Sequence, residues 1–157
     1  MHGLPPIIGA QARVLILGSF PSAASLAARQ YYAHPQNQFW RILGAVLERP
    51  LQDMTYAARV VAVQAAGIAI WDIFASCERA GSLDAAIRDA LPNPLADLQK
   101  SAPALRRVCF NGRMAARRIA EVEAQGYEVI LLPSTSPAHA GMRFEEKLAR
   151  WRGALHT

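Results

Sequence analysis

The order of short apolar runs and helix-spaced stretches constrains this 157-residue chain more than any other feature. Residues 13–17, 68–71, 107–110 and 128–132 are mostly apolar and of strand length, and the next residues are Gly18, Asp72, Asn111 and Pro133. Apolar runs without alternation read as strands buried on both faces. Between them the spacing turns helical. Phe39, Trp40, Ile42, Leu43, Val46 and Leu47 recur with a helix period that Pro50 ends. Thr55 can cap a second helix over 56–66, with Gly67 as its stop. Ser82 opens a short helix to residue 90, broken by Pro92-Asn93-Pro94. A fourth helix spans 113–125 and ends at Gly126, and a last one spans 143–155. Strands alternating with helices imply an α/β fold. The expected form is a three-layer α/β/α arrangement with a four-stranded, mainly parallel sheet, built as one domain over residues 1–157.

Ligands of such sheets bind beyond the carboxyl ends of the strands. Here those ends are residues 18–36, 72–76, 111–112 and 133–141, and the chemically unusual residues fall in the same four places. Tyr31, Tyr32, His34 and Asn37 lie in or just after the first, which is expected to be a long loop. Aromatics beside His, Pro and Asn can wall a flat ligand; they can equally pack under a loop. Asn37 stands just before a helix, where Asn is a favoured cap. Asp72 can order a pocket or cap the turn after its strand, and Asn111 can face a ligand or cap the next helix. Ser134, Thr135 and Ser136 can bond phosphates through hydroxyls and backbone amides, or form a Ser/Thr turn. His34 and His139 can act as acids or as loop hydrogen-bonders.

Composition narrows the class. Hydrophobic residues make up 52% and charged residues 18%, which fits a folded protein. The net charge is +5, and most of the 17 basic side chains are Arg, whose fork suits phosphate; a solvated surface gives the same balance. Cys77 and Cys109 are far apart and form no Cys-x-x-Cys pair, which speaks against a zinc or iron–sulfur site. Cys109 reads as a core residue. No Gly-x-Ser-x-Gly elbow is present, which disfavours a serine hydrolase. No apolar run is long enough to cross a bilayer, and the start lacks the order of a signal peptide, so a cytoplasmic protein is expected.

The stretch Tyr-Ala-His-Pro-x-Asn-x-Phe-Trp at 32–40 resembles the mismatch-specific uracil-DNA glycosylases. Together with Gly-Ser-Phe-Pro-Ser at 18–22, Trp-Asp-Ile at 71–73, Gly-Ser-Leu-Asp at 81–84 and Leu-Pro-Ser-Thr-Ser-Pro-Ala at 132–138, it resembles the hypoxanthine-DNA glycosylase branch of the uracil-DNA glycosylase superfamily. The resemblance runs from Arg13 onward. It implies an enzyme that hydrolyses the glycosidic bond of a deaminated base, hypoxanthine or uracil, flipped out of DNA, with no cofactor and no metal. DNA is the implied partner, and a monomer is expected.

By that resemblance Asn37 is the catalytic residue that positions water, because the position that holds an Asn in the mismatch-specific relatives is Phe20 here. The strand-end residues Gly18, Ser19, Phe20, Tyr32, His34, Asp72 and Asn111 would border the substrate, with Tyr32 stacking on the base. Ser134, Thr135, Ser136, His139, Met142 and Arg143 would meet DNA, with Met142 or His139 as the wedge and Arg113 as a further phosphate contact. Phe20 also motivates a rival reading, a damaged-DNA-binding protein that keeps the fold without turnover. A hydrolase or transferase of free nucleosides or nucleotides is a third reading.

Overall fold

A computed structural model describes residues 1–156. Its centre is a four-stranded sheet of β1 (Val14–Gly18), β2 (Ile68–Asp72), β5 (Arg107–Asn111) and β6 (Glu128–Leu132), in the order β2-β1-β5-β6. All three pairings are parallel, so the carboxyl ends of the strands share one edge. The strand positions match the apolar runs of the sequence because each face of the sheet is covered. Val14 and Ile16 point into one core cluster with Phe39, Val63 and Trp151; Leu15 and Leu17 point into the other with Leu98, Ala115 and Val122. The period-two geometry of a strand sends alternate side chains to opposite faces, so a doubly covered strand must be apolar throughout.

The first cluster is closed by α2 (Phe39–Leu47), α3 (Tyr56–Ala65) and α6 (Phe144–Leu155). Thr55 caps α3 through a hydrogen bond to its side chain from the Ala58 amide. Cys109 is fully buried in this cluster, and burial pushes its thiol up to about 12.

Three expectations of local structure fail. Residues 18–36 are not all loop, because α1 (Ala23–Ala28) forms there, capped by Ser22 and closed by Arg29 in the left-handed conformation. Its Ala-rich composition favours helix. The segment 82–90 is not a helix. After a 3-10 turn at Asp84–Ala86 the chain enters β4 (Arg88–Pro92), antiparallel to β3 (Phe74–Glu78). The cause is backbone satisfaction: β3 lies off the main sheet, and its peptide groups need partners that β4 supplies on one edge and residues 1–3 on the other. The segment 113–125 also breaks, into a 3-10 turn at Ala115–Arg118 and the short α5 (Ile119–Glu123). At the joint, the Arg118 guanidinium is held by the carbonyls of Ile73 (2.9 Å) and Asn93 (2.6 Å). A short α4 (Leu98–Ser101) was not foreseen.

Candidate active site

A cavity of about 790 Å³ opens at the carboxyl edge of the sheet. Gly18, Asp72 and Asn111 reach it from the ends of β1, β2 and β5. Ser19, Phe20, Tyr32, Asn37, Ser134, Thr135, Ser136, His139 and Met142 complete the part foreseen from the sequence. Two expected residues do not border it. The His34 ring accepts from the Gln36 amide (3.1 Å) and so serves its own turn. Arg143 stands at the start of α6, outside the cavity wall. Arg113, Arg117 and Arg150 do lie on the wall.

The Asn37 side chain has a double placement. Its Oδ1 accepts from the Phe39 amide (2.9 Å) and closes the first turn of α2, while the residue borders the cavity. An amide oxygen carries two lone pairs and the Nδ2 two hydrogens, so capping leaves it further hydrogen-bonding capacity. The turn is itself clasped to the Ser134–Ser136 loop: the Gln38 amide donates to the Thr135 carbonyl (3.0 Å). Lys147 Nζ donates both to Gln38 Oε1 (2.9 Å) and to the His139 carbonyl (3.1 Å). Lys147 is almost wholly buried, and that burial lowers its pKa. In the sequence it is one charge among several on α6, with no local sign of this role.

Tyr32 sits in the left-handed conformation (φ 55°) and stacks on Phe39, with ring centroids 3.9 Å apart. Its hydroxyl accepts from Asn111 Nδ2 (3.2 Å). The same Nδ2 donates to Thr135 Oγ1 (3.0 Å), and the Thr135 amide donates to Asn111 Oδ1 (3.0 Å). Both amide hydrogens of Asn111 are therefore committed inside the protein. Asn111 caps no helix either; it joins the stacking Tyr to the serine loop. This makes Thr135, which is fully buried, a lock between two motifs. Thr135→Val keeps the shape but orphans one Asn111 hydrogen. It is expected to lower stability by about 1–3 kcal/mol, seen as a fall in the urea midpoint at unchanged slope. An unchanged midpoint would rule out the lock.

The opposite wall comes from the turn before β4, which the sequence reading placed in a helix. Leu83, Asp84 and Ala85 face the cavity there, and Ser19 Oγ donates to Asp84 Oδ1 (2.6 Å). Behind it Arg79, buried, donates to the carbonyls of Gly81 (2.9 Å) and Pro21 (2.6 Å), with its guanidinium 5.3 Å from the Phe20 ring centroid. Nothing in the local sequence of Arg79 marks it as buried. Among the described residues no group of His, Cys, Asp and Glu is arranged to hold a metal ion. No helix among the described residues is long and apolar enough to cross a membrane.

Known proteins resemble the chain along almost its whole length. The profile of the Uracil DNA glycosylase superfamily matches residues 5–154. A hypoxanthine DNA glycosylase of Methanosarcina acetivorans is 39% identical over 138 residues, covering 88% of this chain and 87% of the relative. One from Methanosarcina barkeri matches at the same identity and coverage. A protein of Methanosarcina acetivorans solved by solution NMR, described as a candidate uracil DNA glycosylase, superposes with a TM-score of 0.90 at 35% identity, over 98% of this chain and 95% of that one. A shared fold and a match over almost the whole length place the chain in one group: it belongs to the uracil DNA glycosylase superfamily.

Proposed function

We propose that this protein is a monofunctional DNA glycosylase that hydrolyses the N-glycosidic bond of a deaminated base extruded from DNA, with hypoxanthine and uracil as its substrates. The observation that carries the reading is one cavity bordered together by Tyr32, Asn37 and the Ser134–Ser136 loop. Its volume falls in the range of about 300–1,000 Å³ typical of small-ligand sites. The relatives named as hypoxanthine DNA glycosylases support the choice of base.

The chemistry follows from the leaving group. The sugar becomes oxocarbenium-like as the bond to the base lengthens. Asn37 holds a water at the sugar carbon C1′ without needing to be a strong base. Phe20 cannot hold water at the position it occupies, so this task falls to Asn37. Tyr32, braced by Phe39 and Asn111, offers its ring to the extruded base. Ser134, Ser136 and the rim arginines Arg113, Arg117 and Arg150 meet the phosphates, while His139 or Met142 fills the gap left in the duplex. Extruding a base costs a few kcal/mol, least at a mismatched pair.

The test is a panel of duplex and single-stranded oligonucleotides carrying hypoxanthine, uracil or xanthine, treated with protein and then with alkali. Strand breaks at hypoxanthine or uracil are expected. Tight binding to these duplexes with no break at any base would instead mark a damage-binding protein.

A further inference from the structure

Asp72 ends β2 at the cavity and is 5% exposed. Its Oδ2 is buried without any hydrogen-bond partner, although the structure binds its main chain closely: its carbonyl accepts from Asn93 Nδ2 (2.8 Å). None of the ion pairs among the described residues includes it. The ionisable groups that face it are Asp84 on the opposite wall, Arg79 behind that wall, and the Tyr31 and Tyr32 hydroxyls. Arg79 does not bond it: two of its nitrogens are held by the carbonyls of Gly81 and Pro21, and the third, Nη1, is buried without a hydrogen-bond partner among the described residues. A carboxylate stripped of water, facing a second carboxylate and lacking a bonded cation, is poorly stabilised; the neutral acid is much less so. Burial, then the charge of Asp84, push its pKa up to about 7 against the opposing pull of Arg79.

We propose that Asp72 works as a neutral carboxylic acid whose O–H donates a hydrogen bond to the extruded base, at a ring nitrogen or carbonyl oxygen that gains negative charge as the glycosidic bond breaks. This rests on the glycosylase reading. Water adds its oxygen to C1′ and passes a proton to solvent. The electron pair of the C1′–N bond leaves with the base, which takes its proton from solvent after release. Asp72 keeps its own proton and stabilises the departing charge from within a water-poor wall. The ionised form would only accept hydrogen bonds and would repel that charge.

Asp72→Asn separates the possibilities, because an amide donates without titrating. In single turnovers on hypoxanthine duplexes, release by the wild type should fall as pH rises through about 7, the value to which Asp72 is raised. Asp72→Asn should remain within about tenfold of the wild type at pH 6 and stay level to pH 8.5, whereas Asp72→Ala should lose about 10²-fold or more at every pH. A second readout needs no activity. A carboxyl raised in the fold stabilises least where it must ionise, so its contribution declines from its ordinary value near 3.8 up through about 7. The melting temperature of Asp72→Asn relative to the wild type should therefore climb between pH 5 and pH 8. An alkaline fall that persists unchanged in Asp72→Asn, or a melting difference that does not move with pH, overturns the proposal while leaving the glycosylase reading intact. Absence of base release by the wild type at any pH overturns both.

Discussion

Asn37→Ala is expected to cut base release by about 10²–10⁴-fold, the range lost with one positioned proton-handling or charge-stabilising group, while binding to a hypoxanthine duplex stays nearly unchanged. Two consequences of the structure shape this outcome. Asn37 also holds the turn that leads into α2, whose cap position is Gln38, since its Oδ1 accepts from the Phe39 amide. Losing one such hydrogen bond costs about 1 kcal/mol, which for a chain of this size lowers the melting temperature by roughly 2–4 °C. That is far too little to unfold the protein at 25 °C, so a large loss of rate in a variant that still melts cooperatively belongs to chemistry. Binding is insulated because Tyr32 and the Ser134–Ser136 loop keep their own supports in Phe39, Asn111 and Thr135. Single-turnover rates, with binding measured by fluorescence anisotropy, check both halves. A variant that cleaves at the wild-type rate would remove Asn37 from the reaction and leave the water without a holder.

How far the sequence reveals this site depends on whether each contact is local. β1, β2 and β5 were legible because burial on both faces demands continuous apolar runs; the edge strand β6 carries such a run too, although its Leu131 is half exposed. Thr55 was legible as a cap because its partner lies three residues away, whereas Asn37, two residues before its partner, holds the turn ahead of α2 and Gln38 takes the cap position. The β3–β4 ribbon was hidden for the opposite reason. Residues 82–90 carry Ala, Leu and Arg, which favour helix, and only the unpaired edge of β3 draws residues 88–92 into a strand. Leu83 and Asp84 stand in one of the motifs that carry the family resemblance, but their place on the second cavity wall depends on that ribbon and is not legible in the sequence. Arg79 and Lys147 were missed similarly. Their burial comes from carbonyls and an amide far away in the chain, at Pro21, Gln38 and His139. His34 shows the converse: a suggestive residue type in the expected loop that its own turn consumes. The resemblance to a family supplied the reaction; the tertiary contacts say which neighbours hold Asn37 and Tyr32 in place.

Gly18→Ala is expected to damage the site severely although it adds a single methyl. Gly18 is the last residue of β1, where the ends of three strands converge on the cavity. A Cβ there would lie 2.6 Å from Asp72 Oδ1 and 2.9 Å from the Tyr32 hydroxyl. Neither neighbour can yield easily. Asp72 is a short side chain buried at the end of β2, which pairs directly with Gly18. The Tyr32 hydroxyl is the tip of a rigid ring held by Phe39 on its face and Asn111 at its end. The methyl must therefore push the two cavity walls apart or bend β1. Overpacking of this kind costs about 1–3 kcal/mol, and moving a substrate-facing group by roughly 1 Å costs about 10²-fold in rate. The variant should melt lower by several degrees and release hypoxanthine at least about 10²-fold more slowly. Adding Tyr32→Phe to Gly18→Ala removes one of the two clashing oxygens, and that relief should offset most or all of the roughly 1–3 kcal/mol that freeing an Asn111 hydrogen costs. Tyr32→Phe should therefore be clearly destabilising alone and much less so, or neutral, in the Gly18→Ala background, a coupling that a double-mutant cycle reads directly. Strict additivity of the two changes would show that the strand end relaxes elsewhere and that the missing side chain of Gly18 is not what makes room for the Tyr32 hydroxyl and the Asp72 carboxyl.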